Sequence, residues 1–184
     1  MKGIVFNLLE QLVTREYGED TWDSLLESAR VDGIYTSLCS YEDADLSQLV
    51  DAASAALDTP PDDIVRWFGR NALPMFAESY PHLFAAHTSA RTFVLTLNDI
   101  IHPEVRKLYP GADVPEFEFE SAADGRLLMG YRSARKMCSF AEGLLDGAAE
   151  HYGESLTIEQ PKCMKRGDER CLIELEFAPA PAVA

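Results

Sequence analysis

The sequence predicts an α+β fold in which a helical N-terminal lobe precedes a four-stranded antiparallel sheet with a crossing helix. Two observations support this prediction. Apolar residues recur at helical spacing through roughly the first two thirds of the 184 residues. After the proline-bracketed segment 109–115 the period changes to two, and one more helical segment separates two pairs of predicted strands.

The composition is that of a folded, acidic chain, with 47% hydrophobic residues and a net charge of −15. This charge argues against nucleic acid and against an anionic membrane surface, because both attract basic faces. No apolar run approaches the ~20 residues that span a bilayer, and no signal-peptide pattern opens the chain. We therefore expect one cytoplasmic domain over residues 1–178 and a disordered tail over 179–184.

Helical spacing marks five segments in the first lobe: 6–16, a segment capped by Thr21, 46–57, a segment from the Thr59 cap to about Ala72, and roughly 89–108. Residues 59–63 give a clear start signal. A capping hydroxyl, prolines in the first turn and two carboxylates at the positive end of the helix dipole all favour helix initiation there.

Strands follow from alternation. Phe117 and Phe119 alternate with glutamates, a turn falls at 122–125, and 127–133 is the hairpin partner. A helix is predicted over 136–151, and strands over 156–160 and 171–177.

Tyr131, Ser133 and Arg135 lie at every second position and so share one face of a strand. Two hydroxyls and a guanidinium fork suit the carboxylates of a ligand. Taken alone, such a row is more often an ordinary strand surface.

His102 stands in an otherwise apolar helical stretch, where a lone histidine is usually a core residue. Pro103 follows it and removes a backbone hydrogen bond, so we expect the helix to bend at the histidine. Such a bend also sets the angle at which an imidazole reaches a metal.

Cys138, Cys163 and Cys171 form a second set, with the last two flanking a glycine turn. They suit a thiolate metal site, but zinc requires four ligands and the fourth is not evident. Free cysteines that behave as small apolar residues are an equally good interpretation.

Motifs typical of enzymes are missing from the sequence. It contains no nucleophile elbow, Walker loop or dinucleotide glycine fingerprint, nor a His/Arg pair for peroxide chemistry. We therefore expect a chain that is not an enzyme.

With these residues in hand, the chain resembles the haem nitric oxide/oxygen binding (H-NOX) family, related to the haem domain of soluble guanylate cyclase. The resemblance covers nearly the whole chain and also includes Met1-Lys2-Gly3, Tyr17-Gly18, Leu108-Tyr109, Gly111, Pro115 and Gly143-Leu144-Leu145. It implies haem b between the lobes, with His102 as the iron ligand. It places Tyr131, Ser133 and Arg135 on the propionates and Pro115 against the porphyrin.

The family pattern also indicates which gas binds. Oxygen-binding members carry a tyrosine where this chain has Phe140, and the matching positions around it are all without hydroxyls: Val5, Leu9, Ala72, Phe76 and Leu144. A pocket without a donor penalises oxygen selectively. We expect a nitric oxide sensor that also binds carbon monoxide and does not hold oxygen stably.

Signalling follows from the same resemblance. It implies that nitric oxide breaks the bond between iron and His102, after which the haem flattens and the lobes shift. We expect a separate protein to detect this change, either a histidine kinase of a two-component system or a cyclic-di-nucleotide enzyme.

Some members of the family hold zinc through three cysteines and a histidine. Cys138, Cys163 and Cys171 match the thiolates, but the histidine position is Gln160. Either His151 or water completes a zinc site, or the thiols are redox-active. The alternative function is accordingly a thiol or zinc redox sensor on the same fold, and a haemless module of the vinyl-reductase-like type is a further rival.

Overall fold

The computed structural model describes residues 1–180. Its eight α-helices are Gly3–Tyr17 (α1), Glu19–Ala29 (α2), Asp43–Leu57 (α3), Pro61–Ser79 (α4), Pro81–Phe84 (α5), Ala90–Val94 (α6), His102–Leu108 (α7) and Cys138–His151 (α8). The four strands are Glu116–Ser121 (β1), Leu127–Arg132 (β2), Glu154–Lys162 (β3) and Cys171–Pro179 (β4). A π-turn at Leu97–Ile101 precedes α7, and a 3₁₀ turn at Met164–Arg166 precedes β4. The predicted α+β class is confirmed.

The N-terminal lobe is formed by α1 to α3 and the first half of α4 around one apolar cluster. Phe6 and Leu12 of α1 are fully buried there, together with Leu49 of α3 and Phe68 of α4. Gly18 separates α1 from α2 with φ of +91°, a conformation that glycine adopts without strain. The predicted stop at this glycine is confirmed.

Two predicted helix caps are wrong. The Thr21 hydroxyl donates to the Tyr17 carbonyl (2.8 Å), and α2 begins earlier, at Glu19. The Thr59 hydroxyl donates to the Leu57 carbonyl (3.1 Å), and α4 begins at Pro61. In both cases the hydroxyl satisfies a carbonyl at the end of the preceding helix instead of an N–H of the next.

The long helix α4 joins the two lobes. It continues to Ser79 instead of ending near Ala72, because Leu73 and Ala77 bury their side chains in the second apolar cluster. Pro74 lies inside this helix, and its exposed ring occupies the solvent side.

The helix predicted over 89–108 is not continuous. It is divided into α6, the π-turn and α7, and the amide of Ile101 donates to the Thr96 carbonyl five residues back (3.1 Å). Pro103 has no N–H with which to continue an α-helical ladder through this point. The expected bend therefore lies directly before His102, which begins α7.

The sheet has the order β1-β2-β4-β3, and every neighbouring pair is antiparallel. Phe117 faces Tyr131 across β1 and β2, and Tyr131 faces Cys171 across β2 and β4. This confirms the predicted four-stranded antiparallel sheet. The crossing helix α8 links β2 to β3, beginning at Cys138 instead of 136.

Three glycines bring α8 into close contact with α4. A Cβ added to Gly143 would lie 2.0 Å from the Arg66 carbonyl oxygen, and equivalent atoms on Gly69 and Gly147 would also meet backbone. Arg66 adds an ion pair to Asp146 at the same contact (Nε to Oδ2, 2.7 Å). This seam fixes the position of α8 on the joining helix.

The last strand runs through Pro179, one residue beyond the domain end predicted from sequence. Residues 181–184 of the expected tail lie outside the described residues. Among residues 1–180, no helix combines the length and the apolar character that crossing a bilayer requires.

Candidate functional site

A cavity of about 310 Å³ lies between the two lobes. This is within the size range of small-molecule sites, about 300–1,000 Å³. Both apolar clusters contribute walls: Val5 comes from α1, Phe76 from α4, and Phe93 and Val94 from α6. The interior is therefore suited to a mainly apolar ligand.

His102 forms one wall of this cavity. Its ring stacks on Phe117 with centroids 5.4 Å apart, and neither ring nitrogen has a hydrogen-bond partner among residues 1–180. Burial, assisted by the nearby Arg106 charge, lowers the pKa of His102 to about 4. The imidazole is thus neutral at pH 7, with a nitrogen available to a metal.

Tyr131, Ser133 and Arg135 also line the cavity, as the sequence indicates. Only Tyr131 lies within β2, which ends at Arg132. The row continues through a turn, in which the Ser133 hydroxyl accepts a hydrogen bond from the Arg135 amide (3.3 Å). The predicted single strand face is therefore wrong beyond Arg132, although the three side chains do converge. Burial raises the pKa of Tyr131 to about 12, so its hydroxyl remains a neutral donor.

The Arg135 guanidinium lies between two acidic residues from different segments. Its Nε atom donates to the carboxylate of Asp43 (3.0 and 3.1 Å), and Nη1 donates to the Asp113 carbonyl (2.6 Å). Asp43 also pairs with the α-amino group of Met1 (2.7 Å). Partial burial favours the protonated form of Asp43. The Arg135 guanidinium and the Met1 α-amino group outweigh this effect and hold the pKa of Asp43 below its usual range. The contacts connect the N-terminal lobe to the rim of the cavity.

Three of the five expected hydroxyl-free positions around Phe140 line the cavity. Val5, Phe76 and Leu144 line the cavity with Phe140, and Pro115 lines it from the loop after α7. Leu9 and Ala72 do not line it: both are buried within the N-terminal cluster. The cavity face of α4 carries Leu73 and Phe76 instead, because Ala72 points towards the core.

A pair of tyrosines is among the cavity residues that the sequence did not predict. Tyr80, after α4, and Tyr109, after α7, bring their hydroxyl oxygens to 2.5 Å, so one hydroxyl donates to the other. Burial and the Tyr80 hydroxyl raise the pKa of Tyr109. A contact between residues 29 positions apart leaves no periodic signal, so only the fold reveals it.

The donor set fits haem. A neutral, unpartnered imidazole faces the cavity, two hydroxyls and a guanidinium stand along its rim, and the remaining walls are largely apolar. Haem needs an axial ligand such as histidine for its iron, polar partners for two propionates, and apolar surroundings for the ring. Fold and cavity together define a haem-binding domain.

Comparison with known proteins agrees with this class. The model of the haem-NO-binding family, HNOB, matches residues 2–160, and the chain belongs to this family of haem-based gas-sensing (H-NOX) domains. An H-NOX protein from S. oneidensis in the Fe(II)NO state is 32% identical with a TM-score of 0.91, over 97% of this chain and 99% of that one. An unliganded Fe(II) H-NOX protein from K. algicida is 28% identical with a TM-score of 0.87, over the full length of both.

Curated relatives include a longer enzyme. Soluble guanylate cyclase gcy-32 from Caenorhabditis elegans is 28% identical over 140 residues, which is 73% of this chain. The chain spans only 20% of the length of that cyclase. The similarity therefore concerns one part of it.

The three cysteines of the second predicted set come together away from the cavity. The sulfurs of Cys138, Cys163 and Cys171 lie within 4.8 Å of one another, and all three residues are buried. His151, considered as a fourth ligand, is at the far end of α8 from Cys138, about 20 Å along the helix axis. It is therefore excluded as a ligand at this cluster.

Proposed function

We propose that this chain is a nitric oxide sensor in which His102 ligates the iron of haem b. Tyr131, Ser133 and Arg135 bind the propionates, and Pro115 contacts the ring. When bound, haem supplies a ferrous iron that takes diatomic gases. The single observation that carries the proposal is the neutral imidazole of His102, unpartnered and facing the same cavity as the polar row.

The choice of gas is inferred from the side chains around Phe140. Val5, Phe76, Phe140 and Leu144 present only C–H groups to the cavity. Oxygen gains stability from a hydrogen-bond donor in the pocket, whereas nitric oxide and carbon monoxide depend on one far less. The missing charge-assisted bond is worth roughly 1.5–3 kcal/mol, or about one to two decades of affinity. Related H-NOX proteins from S. oneidensis have been solved in Fe(II)NO and Fe(II)CO states.

His102 also connects the cavity to the π-turn and to β1. It follows the π-turn directly, and in that turn Asn98 donates its side-chain amide to the Phe117 carbonyl of β1 (2.8 Å). A change in the position of His102 would therefore also displace α7 and the edge strand β1. Any ligand shifts such an equilibrium only by its differential affinity for the two states.

In this proposal, a separate protein detects the structural change that gas binding causes. A histidine kinase or a cyclic-di-nucleotide enzyme is the class that the family resemblance indicates. The thiol or zinc sensor is the weaker candidate, since the family name and the relatives described above concern haem and gases bound to iron.

The proposal is tested by absorption spectra of the haem-loaded ferrous protein. We expect nitric oxide to change the spectrum under anaerobic conditions, and air alone to give gradual oxidation without a lasting oxy complex. A persistent oxy spectrum in air would refute the nitric oxide selectivity. No response to nitric oxide would refute gas sensing altogether.

A further inference from the structure

The cluster of three cysteines has the geometry of a small, buried thiolate site. The Cys138 sulfur lies 3.6 Å from that of Cys163, which in turn lies 4.0 Å from that of Cys171. Their exposed fractions are 1%, 3% and 0%. Three sulfurs bonded to one ion at about 2.3 Å in a plane lie about 4 Å apart. The observed separations need little adjustment to meet that arrangement.

The surroundings supply positive potential to these sulfurs. The Met164 amide, from the 3₁₀ turn, donates to the Cys171 sulfur (3.3 Å). The Lys165 ammonium lies 3.2 Å from the Ser139 hydroxyl, beside Cys138 at the start of α8. Burial raises the pKa of Cys138 and Cys171, and these donors act against that rise.

No fourth ligand suited to zinc joins the cluster among residues 1–180. Gln160 lies against Cys138, and its side-chain amide interacts with the thiol. The carboxylate of Asp168 accepts a hydrogen bond from the Cys163 amide (2.8 Å). Zinc in structural sites is almost always four-coordinate, with thiolate, imidazole or carboxylate ligands. The group that family members hold here therefore does not fit this chain well.

A soft ion with fewer ligands does fit. Soft thiolate ligands suit Cu(I) as well as zinc, and Cu(I) does not require the fourth ligand that zinc takes in structural sites. We propose that Cys138, Cys163 and Cys171 form a three-coordinate thiolate site for Cu(I), and that Gln160 is the residue that makes the site a poor one for zinc. Binding displaces the thiol protons and leaves a net negative site, which Lys165 and the turn amides stabilise.

The test uses the haem-loaded protein, titrated anaerobically with Cu(I) against a chromophoric Cu(I) chelator and, separately, with zinc against a zinc chelator. We expect one Cu(I) per chain and zinc that is readily removed. Gln160→His supplies an imidazole and should raise zinc affinity roughly tenfold or more, since even outer-shell changes alter metal affinity by about 10–100-fold. Gln48→His, on the exposed face of α3, is the matched control and should change nothing.

Two cysteine variants identify the ligands. Cys171→Ala should lose tight Cu(I) binding, while Cys39→Ala, at the exposed cysteine, should retain one ion per chain. If Cys171→Ala fails to fold, the comparison of zinc affinity between the wild type and Gln160→His still tests the proposal. Tight zinc in the wild type, equal zinc affinity in both proteins, or Cu(I) that depends on Cys39 would overturn the proposal. The haem spectrum monitors the separate gas-sensing proposal in the same samples.

Discussion

The imidazole of His102 stacks on the ring of Phe117, with centroids 5.4 Å apart and planes inclined by 26°. Phe117 in turn packs against Tyr131 across the sheet, at 5.8 Å between ring centroids. A continuous row of rings thus joins the candidate iron ligand to the candidate propionate-binding residues. Because Phe117 belongs to a strand, it holds the imidazole plane relative to the rim of the cavity.

The depressed pKa of His102, about 4 where 6.5 is usual, predicts how the protein responds to acid. A proton on the ligating nitrogen competes with iron, so we expect ligation to persist from neutral pH down to about 5 and to be lost near or below about 4. Between these two pKa values the unfolded chain binds a proton that the folded chain does not, so the free energy of unfolding falls as pH falls through this window. Above a pH of about 6.5, His102 contributes no pH dependence to the free energy of unfolding.

Absorption spectra of the ferrous carbonyl form, recorded across this pH range beside circular dichroism, measure the loss of ligation. Arg106→Gln removes the neighbouring charge and should raise the midpoint. A wild-type midpoint near 6.5, the value of a free imidazole, would show that the ring is not buried as described.

Arg135 is expected to slow the escape of haem. Its Nε and Nη groups already bind Asp43 and Asp113, which hold the fork at the rim, and a charge-assisted bond to a propionate is worth roughly 1.5–3 kcal/mol. Arg135→Gln should therefore accelerate haem transfer to an excess of apomyoglobin by about 10–100-fold. Arg132→Gln is the matched control, since Arg132 is exposed and pairs with Glu169 outside the cavity. Equal transfer rates in the two variants would remove Arg135 from the propionate site.

Phe140→Tyr should convert the gas preference. A hydroxyl at this cavity position supplies the donor that the wild type lacks, so oxygen affinity should rise by about one to two decades. Laser photolysis with oxygen rebinding, or spectra in air, measures the change. Phe119→Tyr is the control, because this half-buried ring of β1 does not line the cavity. Wild-type protein that already binds oxygen tightly would indicate that another donor serves, the hydroxyl pair of Tyr80 and Tyr109 being the first to test.

Gly143→Ala should destabilise the fold through the seam between α4 and α8. The new methyl would lie 2.0 Å from the Arg66 carbonyl oxygen and 2.8 Å from the Arg70 nitrogen, so the helices must separate. Overpacking of this kind costs about 1–3 kcal/mol, measured by urea unfolding. At Gly18 a Cβ meets nothing within 4 Å, so Gly18→Ala isolates the cost of a backbone conformation that glycine alone adopts readily, roughly 1–3 kcal/mol. A neutral Gly143→Ala variant would mean that the helices are not in close contact.

Local patterns were sufficient for much of this fold. Alternation at Phe117 and Phe119 located the first strand, and Pro103 located the bend before His102, because each depends on neighbours in sequence. The Tyr131, Ser133 and Arg135 row likewise reached the cavity, even though the strand ends before its last two members.

The features that could not be predicted from the sequence depend on contacts between segments that are far apart in the chain. The Asp43 partner of Arg135 is 92 residues away, and the Tyr80 and Tyr109 hydroxyls meet across 29. Leu9 was expected beside the cavity from the family resemblance, but it is buried in the N-terminal cluster. The Thr59 cap failed because its hydroxyl had a second acceptor within reach.

Haem binding by wild type and His102→Gly tests the central proposal most directly. Both proteins are mixed with hemin, reduced, exposed to carbon monoxide and recorded by absorption, with and without added imidazole. We expect the wild type to bind one haem per chain with a histidine-ligated spectrum, and the variant to show that spectrum only when imidazole is supplied. A wild type that takes up no hemin, or a variant with an unchanged spectrum in the absence of imidazole, would contradict the role of His102.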